Sequence, residues 1–164
     1  MGLVIARNSP VAAVVVLVVA LAGCGSSAHT AQNTLIARSR SIGPIFVGET
    51  KATIEAAYGK GQPAALPSRP HDTPITFYPA VSIGVLYYEN HAFYVETTAP
   101  QYRTKSRMGI GSTAAQLQKN GAECQQDQCW LTNSNLSTTF FMSSSYPSHR
   151  ETRAIRVVVG PVGS

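Results

Sequence analysis

The side chains best suited to acid–base chemistry in this chain lie in one proline-rich stretch. His71 precedes Asp72, and Ser68 is close by, so a nucleophile and a base are near each other in sequence. Neighbouring residues in a loop seldom point to the same place, however, and Ser68 is not framed by the Gly-x-Ser-x-Gly turn that exposes a serine nucleophile. The preferred interpretation is therefore a set of solvent-exposed loop residues, and a small enzyme using the His71–Asp72 loop is the alternative hypothesis.

The other histidines and the glycine pairs do not form a recognised site. His29, His91 and His149 lie far apart, and none has the His-Glu-x-x-His spacing of a zinc hydrolase. Gly59-Lys-Gly61 and Gly109-Ile-Gly111 lack the Gly-x-Gly-x-x-Gly pattern that places a phosphate at a helix start. We therefore predict no catalytic residue, no metal and no cofactor; a small-molecule ligand is left open.

The beginning of the chain predicts export. Arg7 precedes the apolar run 11–20, which is too short for a permanent membrane span and is followed by Leu21-Ala22-Gly23-Cys24. These four residues resemble a bacterial lipobox, which would make residues 1–23 a signal peptide and Cys24 the lipidated first residue. Two acyl chains on Cys24 would anchor the protein stably. The expected location is extracytoplasmic, on the outer face of the plasma membrane or at an outer membrane; the alternative is an ordinary export signal that happens to contain a cysteine.

The two remaining cysteines predict a disulfide. With Cys24 lipidated, Cys124 and Cys129 form an even pair in an oxidising compartment. They flank a polar stretch, which indicates a structural bond across the neck of a hairpin, worth about 2 kcal/mol. A redox pair is more typically Cys-x-x-Cys, and a zinc site would need further ligands.

Between the lipid and the fold we expect a flexible spacer. Residues 24–40 are small and polar, which leaves residues 41–164 for one modest core. The chain carries a net charge of +5, with lysine and arginine scattered along it. That charge suits an anionic envelope surface. Nucleic-acid binding is not expected for an exported chain without a recognised binding module.

The elements that follow indicate an internal repeat. Residues 48–59 (GETKATIEAAYG) are echoed by residues 111–121 (GSTAAQLQKNG), each as a short amphipathic helix. Threonine is a favourable N-cap in both copies, and Gln116 would complete a capping box in the second. The closing glycines suit a left-handed residue after each helix. The matched pairs are Gly48 with Gly111, Thr50 with Thr113, Ile54 with Leu117, and Gly59 with Gly121.

Alternating apolar residues predict antiparallel strands after each helix. The fold class is therefore α+β, a tandem repeat of a short helical segment plus a β-meander, with the helices on one face of the sheet. Repeat 1 would span residues 41–102 and repeat 2 residues 103–164. The predicted strands are Thr76–Tyr78, Val81–Tyr88 and His91–Thr98 in the first copy, and Cys129–Leu131, Leu136–Met142 and Ala154–Val159 in the second.

These motifs carry a family resemblance. The chain contains two copies of one pattern, which consists of an aliphatic residue, Gly-x-Thr, Ile or Leu, and a closing glycine. A meander follows each copy, and a lipobox precedes both. This arrangement resembles the β-lactamase inhibitor protein family. It is similar also to the single-repeat SmpA/OmlA lipoproteins, which include the BamE-like component of outer-membrane protein assembly. The resemblance spans about residues 42–160 and rests on the scaffold positions alone. It implies a curved sheet whose concave face contacts protein partners, without catalytic activity.

Two groups of residues are candidates for partner binding. Tyrosine and tryptophan anchor many interfaces. Tyr87 and Trp130 fit the core better than the surface. Tyr88 and Tyr94 fit either place, because neighbouring residues of a strand point to opposite faces of the sheet. Arg103, Lys105 and Arg107 alternate, so an extended connection would place them on one side, against anionic lipid or wall polymer; a solvated face is the simpler alternative. The partner-binding candidates are Tyr88, Tyr94, Trp130, Arg103, Lys105 and Arg107.

The leading hypothesis is a non-enzymatic interaction protein of the bacterial cell envelope. It would be held at the membrane through Cys24 and would present its sheet to a protein partner. The alternatives are an inhibitor of a secreted hydrolase and the small enzyme at His71 and Asp72.

Overall fold

The described part of the chain combines two helices with mostly antiparallel sheet, as predicted. The structure, a computed structural model, describes residues 33–64, 74–146 and 152–162. Its helices are α1 (Lys51–Tyr58) and α2 (Ala114–Lys119). Its strands are β1 (Leu35–Ala37), β2 (Ser41–Ile42), β3 (Ile45–Phe46), β4 (Gln62–Ala64), β5 (Ile75–Tyr78), β6 (Ile83–Tyr88), β7 (His91–Thr97), β8 (Arg103–Thr104), β9 (Glu123–Asn133), β10 (Leu136–Tyr146) and β11 (Ala154–Pro161).

Both helices begin at the predicted caps. The hydroxyls of Thr50 and Thr113 accept a hydrogen bond from the backbone N–H three residues later, at 3.2 Å in each case. This satisfies a donor that every helix start leaves unpaired. Gln116 accepts in return from the backbone N–H of Thr113 at 2.9 Å, which confirms the capping box. In α1, the Thr53 side chain instead contacts the Thr50 hydroxyl, with the two hydroxyl oxygens 2.8 Å apart.

The glycines around the helices have the positive φ that favours glycine. Gly48 and Gly111, which precede the helices, have φ of 88° and 85°. The N–H of each donates at 2.7 Å to the carbonyl of an alanine, Ala92 or Ala154. After α1, Gly59 has φ 79° but ψ 177°, so it turns the chain into an extended segment and is not in the left-handed helical region that the sequence predicts.

The larger of the two sheets has the order β4-β5-β6-β7-β11-β10-β9, with antiparallel neighbours throughout, and it does not close. At its centre β7 pairs with β11, so that Val95 lies opposite Val159 and Glu96 opposite Val158. The strand β7, which precedes Gly111 in the chain, and the strand β11, which follows it, therefore meet in the middle of one sheet.

One face of the large sheet, here called the core face, contributes to a single hydrophobic cluster. Val85, Val95 and Val159 lie side by side on this face and are fully buried. Ile54 of α1 and Leu117 of α2 belong to the same cluster. The buried apolar side chains of both helices thus belong to the same cluster as those of the core face.

The smaller sheet was not predicted. Its order is β3-β2-β1-β8, antiparallel except for the parallel pair of β1 and β8. Ile36, Ile42 and Ile45 are paired neighbours in it and are buried in the same cluster. Since Ile36 is buried, residues 33–40 belong to the fold, and the folded part begins earlier than the predicted spacer boundary.

The predicted disulfide joins Cys124 and Cys129, but it does not close a hairpin neck. Both cysteines lie in β9, and the hairpin turn to β10 comes later, around Ser134. Their Cα atoms are 4.0 Å apart, whereas extended chain of that length would span about 16 Å. The strand therefore loops out between the cysteines, helped by a positive φ of 54° at Gln126.

Several sequence predictions lie outside the described residues. They are the signal peptide 1–23, the lipidated Cys24, the start of the spacer, His29, Ser68, His71, Asp72 and His149.

Candidate interaction surface

The face of the large sheet that points away from the core cluster is the best candidate for a site; it is called the second face below. A row of paired residues crosses it from β5 to β9, alternating along each strand with the core-face residues. Its members have small, polar, charged and aromatic side chains. In order across the sheet they are Phe77, Gly84, Glu96, Val158, Thr139 and Trp130.

A buried ion pair lies at the centre of the second face. Arg156 Nη1 is 3.8 Å from Glu96 Oε2, and the two side chains are 6% and 4% exposed. Buried charges need partners, since removing a charge from water is costly. Glu96 comes from β7 and Arg156 from β11, so the pair joins the two strands that meet at the centre.

The surroundings of this pair fit it closely. The Arg156 guanidinium carbon lies 3.8 Å from the centre of the Phe141 ring, a cation–π arrangement. On the other side, Gly84 leaves room for the carboxylate, because a Cβ there would lie 3.2 Å from Glu96 Cγ. The Phe141 ring therefore packs against the guanidinium, and the missing side chain at Gly84 leaves space for the carboxylate.

A second cluster of rings lies beside the ion pair. The rings of Tyr88 and Phe93 are 5.8 Å apart, and those of Phe93 and Tyr94 are 4.9 Å apart and nearly perpendicular. Tyr94 is half-buried and occupies the space above Gly160, where a Cβ would overlap its ring. Tyr88 projects furthest, with 62% of its surface exposed. Rigid rings with one exposed member suit a contact surface.

The tyrosines of the core side do not provide a base. Tyr78 and Tyr87 hydroxyls are 2.6 Å apart. Burial raises the pKa of both phenols, and the raising effect is larger for Tyr87, where the hydrogen bond to Tyr78 adds to it. Burial also raises the pKa of Tyr58 and of Tyr102. All four phenols therefore stay protonated at neutral pH, so they do not act as nucleophiles or bases there.

The structure separates the predicted binding residues into two groups. Tyr88, Tyr94 and Trp130 lie on the second face, but Trp130 in β9 is three strands, about 14 Å, from Tyr94 in β7. Trp130 is half-buried outside the core cluster, whereas Tyr87 packs against that cluster.

The basic group lies elsewhere, at the small sheet. Arg103 is in β8, and Lys105 and Arg107 are exposed in the turn that follows. Arg107 donates from its backbone N–H to Thr104 O at 2.8 Å and has φ 63°. The connection is thus a tight turn and not an extended segment, so alternation does not place these side chains on one side.

Sequence reasoning missed Glu96, Arg156, Phe93 and Phe141. A signal for the first two exists, because each is a charged residue next to a valine within a predicted strand. What the pattern could not supply is their pairing, which depends on β7 and β11 being neighbours.

Other kinds of site find no support in the part of the chain that the structure describes. No three His, Cys, Asp or Glu side chains there gather to hold a metal ion. No described helix is both long and apolar enough to cross a bilayer. His91 is exposed, and its Nδ1 lies 2.9 Å from Glu89 O, a local contact within the turn before β7.

Comparisons with known proteins found no match: no protein-family model fits the chain, and no curated protein and no solved structure shows significant similarity to it. The resemblance described above therefore stays a prediction.

Proposed function

We propose that this chain is a lipid-anchored, extracytoplasmic binding protein of the bacterial cell envelope, without enzymatic activity, which presents the second face to a protein partner. The observation that carries the proposal is the composition of that face. The accessible rings are exposed Tyr88, beside half-buried Phe93 and Tyr94, and half-buried Trp130. The buried Glu96–Arg156 pair joins β7 to β11 within this face. Aromatic side chains on a rigid scaffold are typical of protein interfaces.

The scaffold is proposed to be a tandem repeat, 41–102 and 103–164, with both helices on one face of a curved sheet. The matching turns at Gly48 and Gly111 support this, because both donate to an alanine carbonyl at 2.7 Å. In both turns the alanine N–H bonds back to the residue after the glycine, at 2.8 and 2.9 Å. In this view the last strand of each repeat, β7 and β11, meets its counterpart at the centre of the sheet.

A site-specific cross-linking experiment tests the partner surface. A photoreactive phenylalanine analogue placed at Tyr88 should cross-link one envelope protein in living cells, and the same analogue at exposed Lys119 on α2 should not. Tyr88→Ala combined with Trp130→Ala should reduce co-purification of that protein, with Lys119→Ala as the matched control. The same products from both positions, or no product from Tyr88, would contradict the proposal.

The anchor is tested separately by labelling. Cells given a labelled fatty acid should incorporate it into the wild-type chain and into Cys124→Ser, but not into Cys24→Ser. Label retained by Cys24→Ser would reject the lipid anchor and leave the partner experiment unaffected.

The cross-linked protein also decides between simple binding and inhibition. If it is a secreted hydrolase, its turnover in the presence of the wild-type chain and of Tyr88→Ala shows whether the second face inhibits it. The resemblance to β-lactamase inhibitor proteins is the reason for keeping this alternative. The enzyme alternative is tested by His71→Ala, whose loss of turnover of an envelope substrate would favour it.

A further inference from the structure

The outward side of the small sheet combines exposed apolar and basic side chains. Strand pairing places Ile36, Ile42 and Ile45 on its inner side, and Leu35 and Phe46, one position away, on its outer side. Leu35 is 44% exposed and Phe46 is 41% exposed. Two large apolar side chains thus face outward from one small sheet.

Basic residues predominate around these two side chains. The segments that form the small sheet and its turns, 33–47 and 102–109, contain no aspartate or glutamate. The nearest acidic residue along the chain is Glu49, which accepts a hydrogen bond from Phe46 N at 3.1 Å. The basic residues of these segments are Arg38, Arg40, Arg103, Lys105 and Arg107.

The basic residues flank the apolar ones. Arg103 lies directly beside Leu35 in the parallel pair of β1 and β8. The Arg40 guanidinium is 5.8 Å from the centre of the Phe46 ring. Lys105 and Arg107 are exposed in the turn beyond β8. Basic and apolar side chains in this mixture suit an anionic membrane surface, which attracts the charges and accepts the apolar groups at its boundary.

The chain enters the fold at this same sheet. Thr34 O accepts a hydrogen bond from Arg103 N at 3.0 Å, and Asn33 Nδ2 donates to Gly43 O at 3.1 Å. Residues 25–32, which separate Asn33 from Cys24, reach about 30 Å at full extension. If Cys24 carries lipid, the small sheet is therefore held within about 30 Å of the bilayer.

We propose that the outer side of the small sheet is a membrane-docking face that lies on anionic phospholipid. The two apolar side chains enter the headgroup boundary, and the basic residues contact lipid phosphates. The position next to a membrane rests on the proposed lipid anchor, but the affinity for lipid is a property of this face and does not need the acyl chains. The mature chain from residue 24 with Cys24→Ser is therefore the form to test.

The first measurement is co-sedimentation with vesicles. The Cys24→Ser chain should bind phosphatidylglycerol–phosphatidylcholine vesicles at low salt, bind phosphatidylcholine alone weakly, and lose binding as salt rises. Arg103→Gln with Lys105→Gln and Arg107→Gln should weaken binding about a hundredfold, at about fivefold for each charge near the surface. Because Arg103 is half-buried, the Lys105→Gln, Arg107→Gln pair serves as a second variant, with about a 25-fold loss expected.

The matched control removes the same net charge elsewhere. Lys60→Gln, Lys119→Gln and Arg153→Gln change exposed residues outside the small sheet and should weaken binding only a few-fold. Equal loss in both triple variants would mean that net charge alone drives binding, and would overturn the docking face. So would the absence of binding to anionic vesicles at low salt, whatever the labelling of Cys24 shows.

The second measurement reports which side touches the bilayer. In a Trp130→Phe background, Phe46→Trp should be quenched by lipids brominated near the headgroup, and Tyr88→Trp on the second face should not. Quenching of both, or of Tyr88→Trp alone, would overturn the proposed orientation. If Phe46→Trp is not quenched although Cys24 of the wild-type chain is acylated normally, the docking face is rejected and the lipid anchor is retained.

Discussion

The two faces of the large sheet are stabilised in different ways. On the core face, neighbouring strands contribute valine, leucine and phenylalanine to one hydrophobic cluster with both helices. The second face holds the Glu96–Arg156 pair, a ring cluster and close contacts that need Gly84 and Gly160. The first arrangement tolerates apolar side chains of similar volume, whereas the second depends on particular partners. Substitutions on adjacent residues of one strand can therefore separate the two contributions.

The largest expected effect lies on the core face. Phe140 is fully buried, and Phe140→Ala should lower the free energy of unfolding by about 3–5 kcal/mol, since it leaves a large cavity. Phe141, the next residue of β10, points to the second face, and Phe141→Ala should cost about 1–2 kcal/mol through loss of the contact with Arg156. Urea unfolding measures both. Equal losses would show that the second face is as tightly packed as the core.

The next effect is expected at the ion pair. Arg156→Met leaves the Glu96 carboxylate buried without its guanidinium partner, so the loss should be about 3 kcal/mol or more. Adding Glu96→Leu removes the carboxylate as well and should recover part of that stability. A double-mutant cycle by urea unfolding gives the coupling between the two residues. If the losses of the two single variants add up in the double variant, the side chains of Glu96 and Arg156 do not stabilise the contact between β7 and β11 through each other.

The core face could be predicted from the sequence, whereas the ion pair could not. The core face follows from period-two alternation in each strand, and the helix caps follow from Thr50, Thr113 and Gln116. The ion pair does not, because Glu96 and Arg156 meet only once β7 and β11 are placed side by side.

The small sheet escaped prediction for a related reason. Strands as short as β2 and β8 are too brief to show a period, and the parallel pairing of β1 with β8 joins residues far apart in the chain. The disulfide was predicted from cysteine number, but its place within β9 depends on the course of the backbone.

A smaller effect should distinguish two tyrosines of the second face. Tyr94 fills the space over Gly160 and touches Phe93, so Tyr94→Ala should lower stability by about 1–3 kcal/mol. Tyr88 is mostly exposed, and Tyr88→Ala should stay within about 0.5 kcal/mol of wild type. Thermal unfolding in parallel measures the difference. A large loss for Tyr88→Ala would make it a packing residue, and its proposed role in binding would lose its basis.

The smallest effect at neutral pH should come from the hydroxyl pair on the core side and should grow in alkali. Burial raises the pKa of Tyr78 and Tyr87 in the folded protein, so the native state keeps protons that the unfolded chain releases above about pH 10. The stability due to this pair is complete below that pH and falls as the pH rises further. Tyr78→Phe with Tyr87→Phe should therefore flatten the decline in the free energy of unfolding between about pH 10 and pH 11. Tyr88→Phe, which removes an exposed phenol on the second face, is the control and should leave the wild-type slope; the same flattening in both variants would show that the decline does not come from the buried pair.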